Sequence, residues 1–262
     1  YLGSLSCMCL FFFSKYNLEL SFIPFVTATI GFWGSLVYYN SYLPEIATTE
    51  NQDKVSARGF ALGYFGSSLL LIVCLALVMS KAVFHYLGDL DKYKGIDVRI
   101  SFLLVGLWWM GFAQYTFRNL PVKDHTQHGL DRKRLFSKGF IELLGVTKQV
   151  VKLPDLKRFL SGYFFYNMGV QTVMVVAVLF ARNEIQWPNE QAKTSSLIVS
   201  ILIIQFVGIA GSFFFSWLSR SVGNIKSLMV AVLIWIFICV FTYLVVTRPI
   251  HFYIVAFLVG FV

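Results

Sequence analysis

Three side-chain amides stand inside runs that are otherwise apolar enough to avoid water. In "GYFFYNMGVQTVMVV" (residues 162–176) Asn167 and Gln171 are four positions apart, so a helix puts them on one face, with Tyr163 and Tyr166 near it. Gln205 lies halfway along the next apolar run. An amide both donates and accepts, and in hydrocarbon it must find a partner. Two arrangements meet that need. Asn167, Gln171, Gln205 and Tyr166 line a pathway for a polar solute, or the amides bond between helices and hold a bundle together. No Asp, Glu, Lys or Arg sits at the middle of any apolar run, which argues against a proton relay or ion pathway of the pump kind.

Other chemistries find less support. Cys7, Cys9, Cys74 and Cys239 lie in apolar windows with no His beside them at ligand spacing, so they read as small packing residues, with no disulfide, metal or cofactor expected. His85, His125, His128 and His251 fall in loops or at the ends of apolar runs, and no paired carboxylate or nucleophile-base set accompanies them. An enzyme is therefore disfavoured.

The elements that must position the amides follow from composition. Of 262 residues 57% are hydrophobic, 18% aromatic and only 13% charged, too few charges to clothe a water-facing surface. The chain reads as an all-α integral membrane protein. Windows of about 20 apolar residues, the length that crosses a hydrocarbon core, run from Leu20 to Leu43, Gly59 to Met79, Ile100 to Phe117, Phe159 to Ala181, Leu197 to Leu218 and Ser227 to Val246. Those are six complete spans. "YLGSLSCMCLFFF" and "HFYIVAFLVGFV" are too short to span alone and read as two partial helices; with no initiator Met and no charged leader, the sequence reads as a fragment of a longer chain.

Charge orients the spans. Counting Lys and Arg in alternate loops gives fourteen on the side of the long linker from Arg118 to Arg158 and eight on the other, so the positive-inside rule puts that linker in the cytoplasm. The net charge of +9 comes mostly from it. It carries no interleaved aromatic platform, which argues against nucleic acid as a partner and for an anionic lipid surface. Within it "LFSKGFIELLGVTKQVVKL" spaces Leu135, Phe136, Phe140, Leu143, Leu144, Val150, Val151 and Leu153 around Lys138, Lys148 and Lys152, a short amphipathic helix lying on the cytoplasmic surface that Pro154 stops.

Small residues form a second pattern. Gly59, Gly63 and Gly66 with Ser67, and Gly208, Gly211 and Ser212, have spacings that let helix backbones approach closely.

With these residues in hand, "YYNSYLPEIATTENQDKVSARGFALGYFGSSLLL" (38–71) and "FFYNMGVQTVMVVAVLFARNEI" (164–185) resemble two signature regions of the vacuole-effluxer-like branch of the major facilitator superfamily. The Asn-x-x-Leu-Pro turn at Asn40 to Pro44 and Ser-x-x-Gly-x-x-x-Gly-Tyr at Ser56 to Tyr64 carry most of its specificity. The resemblance implies a major-facilitator-type bundle in which residues 1–119 supply helices three to six of an N-terminal bundle. Residues 120–155 then form the cytoplasmic linker, and residues 156–262 supply helices seven to ten of a C-terminal bundle. It also implies a cytoplasmic turn over residues 44 to 58, where Pro44 ends a helix, Ser56 caps the next and Gly59 permits tight entry. "GSFFFSWLSRSVGNIKS" (211–227) occupies the place of the superfamily's Gly-rich charged loop and keeps Gly211, Gly223 and Lys226. It departs in having Arg220 where an Asp is usual and Ser221 where a base is usual, which puts the charge lock of that loop in doubt.

The function implied is secondary active transport by a permease that moves a small polar solute, amino acids among the solutes, by efflux and alternating access. Asn40, Pro44, Gly59, Gly63, Gly211, Gly223 and Lys226 are then candidates for the conformational change. The expected partners are the solute and the bilayer of a bacterial inner membrane, with a coupling ion left open and a monomer as the working unit. The alternative is a non-transporting membrane sensor or scaffold, in which the amides only join helices.

Overall fold

In a computed structural model, residues 1–13, 18–80, 95–120 and 132–262 are described. His85, His125 and His128, together with the first part of the basic linker, lie outside the described residues. The described residues are helical almost throughout, in the order α1 (Leu2–Cys9), a single 3-10 turn (Leu10–Phe12), α2 (Leu18–Ser41), α3 (Leu43–Ile46) and α4 (Gln52–Ser80). Then come α5 (Ile96–Asn119), α6 (Arg132–Lys152), α7 (Pro154–Asn183), α8 (Glu190–Val222), α9 (Asn224–Val245) and α10 (Pro249–Phe261).

Among the described residues six helices are long and apolar enough to cross a membrane, over Glu19–Ile46, Gln52–Val78, Ile96–Asn119, Pro154–Asn183, Ala192–Val222 and Asn224–Val245, and α1 and α10 are shorter apolar helices. The spans are those read from the sequence, but most helices run a turn or two past the apolar windows. A helix satisfies its own backbone hydrogen bonds, so nothing requires it to stop where lipid gives way to water. α8 shows the local reason. Asn189 sits in extended conformation before the helix and its Oδ1 accepts from the backbone N–H of Ala192 at 2.6 Å, and Glu190 and Lys193 pair at 3.2 Å within the first turn.

One compact unit comprises Tyr1–Leu120 and Trp187–Val262 and a second comprises Pro121–Gln186. In the first unit α1 packs between α2 and α5, α4 packs along α8, and α8 packs along α10. These contacts use small residues, because lipid and Leu are equally apolar and close approach supplies the attraction instead. Gly3 of α1 meets the backbone of Gly31 on α2, the hydroxyl of Thr27 reaches Ser6 Oγ at 2.8 Å, and Gly106 of α5 lies against Ser4 and Met8. In the second unit α6 is followed by Leu153 alone before Pro154 opens α7. Pro154 thus starts the span as well as ending the helix before it.

Candidate functional site

α4 and α8 run antiparallel, fixed by two contacts. At one end Ser219 Oγ donates to Asp53 Oδ2 at 2.6 Å. Further along, Tyr64 lies on Gly208, where an added Cβ would stand 2.9 Å from Tyr64 Cε2. Tyr64 is about three turns beyond Asp53 and Gly208 about three turns before Ser219, roughly 16 Å in each helix at 1.5 Å per residue. The register is therefore held over that whole length. On α4 the buried residues Ala57, Ala61 and Ser68 share Tyr64's face by spacings of three and four. Gln205 precedes Gly208 by three residues, is half-buried, and makes no side-chain hydrogen bond among the described residues.

Ser219 also contacts Asn224 Oδ1 at the start of α9. A hydroxyl has one proton, and the carboxylate is the stronger acceptor; an amide turned end for end offers its NH2 to the same oxygen. Between Ser219 and Asn224 stands Gly223, with φ 90° and ψ 156°, a backbone region that only glycine occupies without strain. Its N–H donates to Ser219 O at 2.9 Å, closing α8, and its carbonyl accepts from Ser227 N at 3.1 Å, opening α9. Arg220 turns back to the Ser216 carbonyl at 3.2 Å, whereas Lys226 is exposed.

The other candidates fall in different places. Gly211 does pack closely: an added Cβ would overlap the Phe261 carbonyl of α10, and reciprocally one on Gly260 would stand 2.7 Å from the Ile204 carbonyl. Gly63 and Gly66 face open space, so the expectation of close packing there is not met. Their face of α4 is turned away from the buried one. Gly59 meets only the phenol oxygen of Tyr39 on α2, at 2.6 Å from an added Cβ, which a flexible ring can relieve. Asn40 is exposed in the last turn of α2. Pro44 opens the short α3 and so does not simply end a helix, and Ser56 lies inside α4, which already begins at Gln52.

On α7 Asn167 is exposed and Gln171 half-buried, and neither side chain makes a hydrogen bond among the described residues; Tyr166 does interact with a neighbour. Two open grooves, about 580 Å³ between α8 and α10 and about 540 Å³ between α4 and α5, are lined almost wholly by apolar side chains such as Ile203, Phe257, Val73 and Leu104. Neither has the convergent polar groups that a polar solute requires.

Sequence reasoning missed Asp97. In the first turn of α5 it is 5% exposed, and its Oδ1 has no hydrogen-bond partner among the described residues. An acidic residue just after Gly95 marks a helix start, but nothing in the pattern signals burial. All four cysteines are free thiols, and among the described residues no cluster of three His, Cys, Asp or Glu could hold a metal.

The profile of the family described as "Vacuole effluxer Atg22 like" matches residues 1–262. The chain is 25% identical over 261 residues to "Uncharacterized MFS-type transporter YxiO" of Bacillus subtilis, covering 98% of this chain and 57% of that protein. It is 29% identical to "Autophagy-related protein 22-1" of Aspergillus terreus, with 71% of this chain and 31% of that protein covered. With "Autophagy-related protein 22" of Yarrowia lipolytica it shares 26% identity, over 66% of this chain and 31% of the other. The chain thus spans from just under a third to a little over half of the length of these curated relatives. No solved structure matches it. A helical membrane bundle of the major facilitator type, matched by one family profile from its first residue to its last, belongs to the vacuole effluxer Atg22-like family.

Proposed function

We propose that this chain forms the helical core of a secondary active permease that exports a small polar solute, amino acids being the solute class, by alternating access. The observation that carries the reading is the state of the amides. Asn167, Gln171 and Gln205 lie within apolar spans and make no side-chain hydrogen bond among the described residues, which supports a solute-facing role, since an amide in hydrocarbon needs a partner. The α4–α8 seam supports the same reading, since its small residues permit one helix to tilt on the other. In this reading residues 1–119 and 156–262 belong to opposite bundles, the linker over 120–155 is cytoplasmic, and the working unit is a monomer. The bilayer in this reading is a bacterial membrane, the relative that covers nearly the whole chain being from Bacillus subtilis.

The test is Gln171→Ala in the full-length gene product reconstituted into vesicles loaded with labelled amino acids. Loss of the hydrogen bond to solute, worth roughly 0.5 to 1.5 kcal/mol, lowers transport per folded molecule by about twofold to thirteenfold with thermal stability unchanged. Full specific activity in Gln171→Ala and Asn167→Ala alike removes these residues from the pathway. No transport of any solute by the unmodified protein favours the sensor or scaffold reading.

A further inference from the structure

We propose that α6 is an interfacial helix that reads anionic lipid, lying in the headgroup layer with one face in the acyl boundary and its lysines on phosphate groups. The inference is independent of what the chain transports. Positions 140, 143, 144, 147 and 151 follow spacings of three and four and make one contiguous stripe. Phe140, Leu143, Leu144 and Val151 on it are 48 to 67% exposed, so the stripe lies open among the described residues. Glu142, Gly145 and Gln149 fall on the opposite side. Lys148 and Lys152, both exposed, lie along one flank of the apolar stripe, where a long stem can follow the acyl surface while the ammonium reaches a phosphate.

Three observations select a bilayer as the occupant. The amphipathic pattern stands out among helices that are apolar all round and cross the membrane. The helix is tethered at bilayer depth, because Leu153 alone separates Lys152 from Pro154, the first residue of a span. The first turn of that span is itself charged, with Asp155 and Arg158 paired at 3.8 Å and both almost fully exposed, as befits the membrane surface. A short tether makes docking effectively intramolecular, so a modest apolar stripe and two cations suffice where a free peptide would dissociate.

The experiment uses the full-length gene product with its native cysteines replaced and a bimane fluorophore on a single Cys, at Thr147 on the stripe or at Gln149 opposite. The protein is reconstituted in phosphatidylcholine vesicles with or without phosphatidylglycerol. In mixed vesicles the label at 147 is quenched by brominated acyl chains and shielded from acrylamide, and the label at 149 shows the reverse. Joint Lys148→Gln and Lys152→Gln substitution lowers the docked-to-free ratio roughly thirtyfold without changing folded yield, and omitting phosphatidylglycerol acts in the same direction. Shielding of the 147 label from both quenchers, whatever the lipid, shows docking on protein and overturns the proposal. Equal acrylamide quenching at both positions shows a helix free in water and overturns it too.

Discussion

Ser219 Oγ and Asp53 Oδ2, 2.6 Å apart, join two helices across 166 positions of chain. The bond stands at the end of the α4–α8 seam, next to the turn that carries Arg220 and Gly223. A hydroxyl on α8 and a carboxylate on α4 stand where a charge lock was in doubt. A partly buried hydrogen bond to a charged acceptor contributes about 1.5 kcal/mol. Ser219→Ala should lower the unfolding midpoint in detergent, and a double-mutant cycle with Asp53→Ala should show coupling of about 1 kcal/mol. Additive effects of the two changes would mean the bond does not form in solution.

Gly211 and Gly63 should behave oppositely. Gly211→Leu drives a side chain into the Phe261 backbone and should cost about 1 to 3 kcal/mol, seen as lost folded yield on size-exclusion chromatography. Gly63→Leu enters open space and gains helix propensity, so its yield should match or exceed that of the unmodified protein. Equal loss in both would place Gly63 in a contact.

Gly223→Ala tests the turn between α8 and α9. At φ 90° and ψ 156° a Cβ is strained by about 1 to 3 kcal/mol, with no neighbour to clash against. The variant should therefore lose thermal stability although the space beside it is empty. Unchanged stability would mean the turn takes up another conformation at no cost.

Orientation is tested by labelling in intact cells. In a background without native cysteines, a Cys at Lys133 should resist a membrane-impermeant thiol reagent and one at the exposed Glu184 should react. The reverse pattern would invert the topology drawn from the fourteen to eight count of basic residues.

The spans were legible because a 20-residue apolar run has few alternatives. Their ends were less so: Pro188, Asn189 and Glu190 spell a helix start, but hydropathy counts the length wetted by lipid and gives Leu197 instead. The face that α4 buries was not legible at all. Ala57, Ala61 and Ser68 turn inward and Leu62 and Phe65 outward, yet all are compatible with hydrocarbon, so no periodicity marks the buried side. The glycines drew attention to the wrong stripe of α4 and, at Gly211, to the right one of α8. Asp53 and Ser219 were each visible as polar residues at span ends; their pairing depends on a register between helices that no local pattern encodes.

That register makes α4 and α8 a lever. With Tyr64 seated on Gly208 as fulcrum, the Asp53–Ser219 bond sits at the end of an arm of roughly 16 Å, so a tilt of about 15° parts the two oxygens by some 4 Å, enough to admit a water between them. Sliding by even half a turn, about 2.7 Å, would dislodge the ring and break the bond together. The cheap motion along this seam is a swing that opens one end while the middle stays closed.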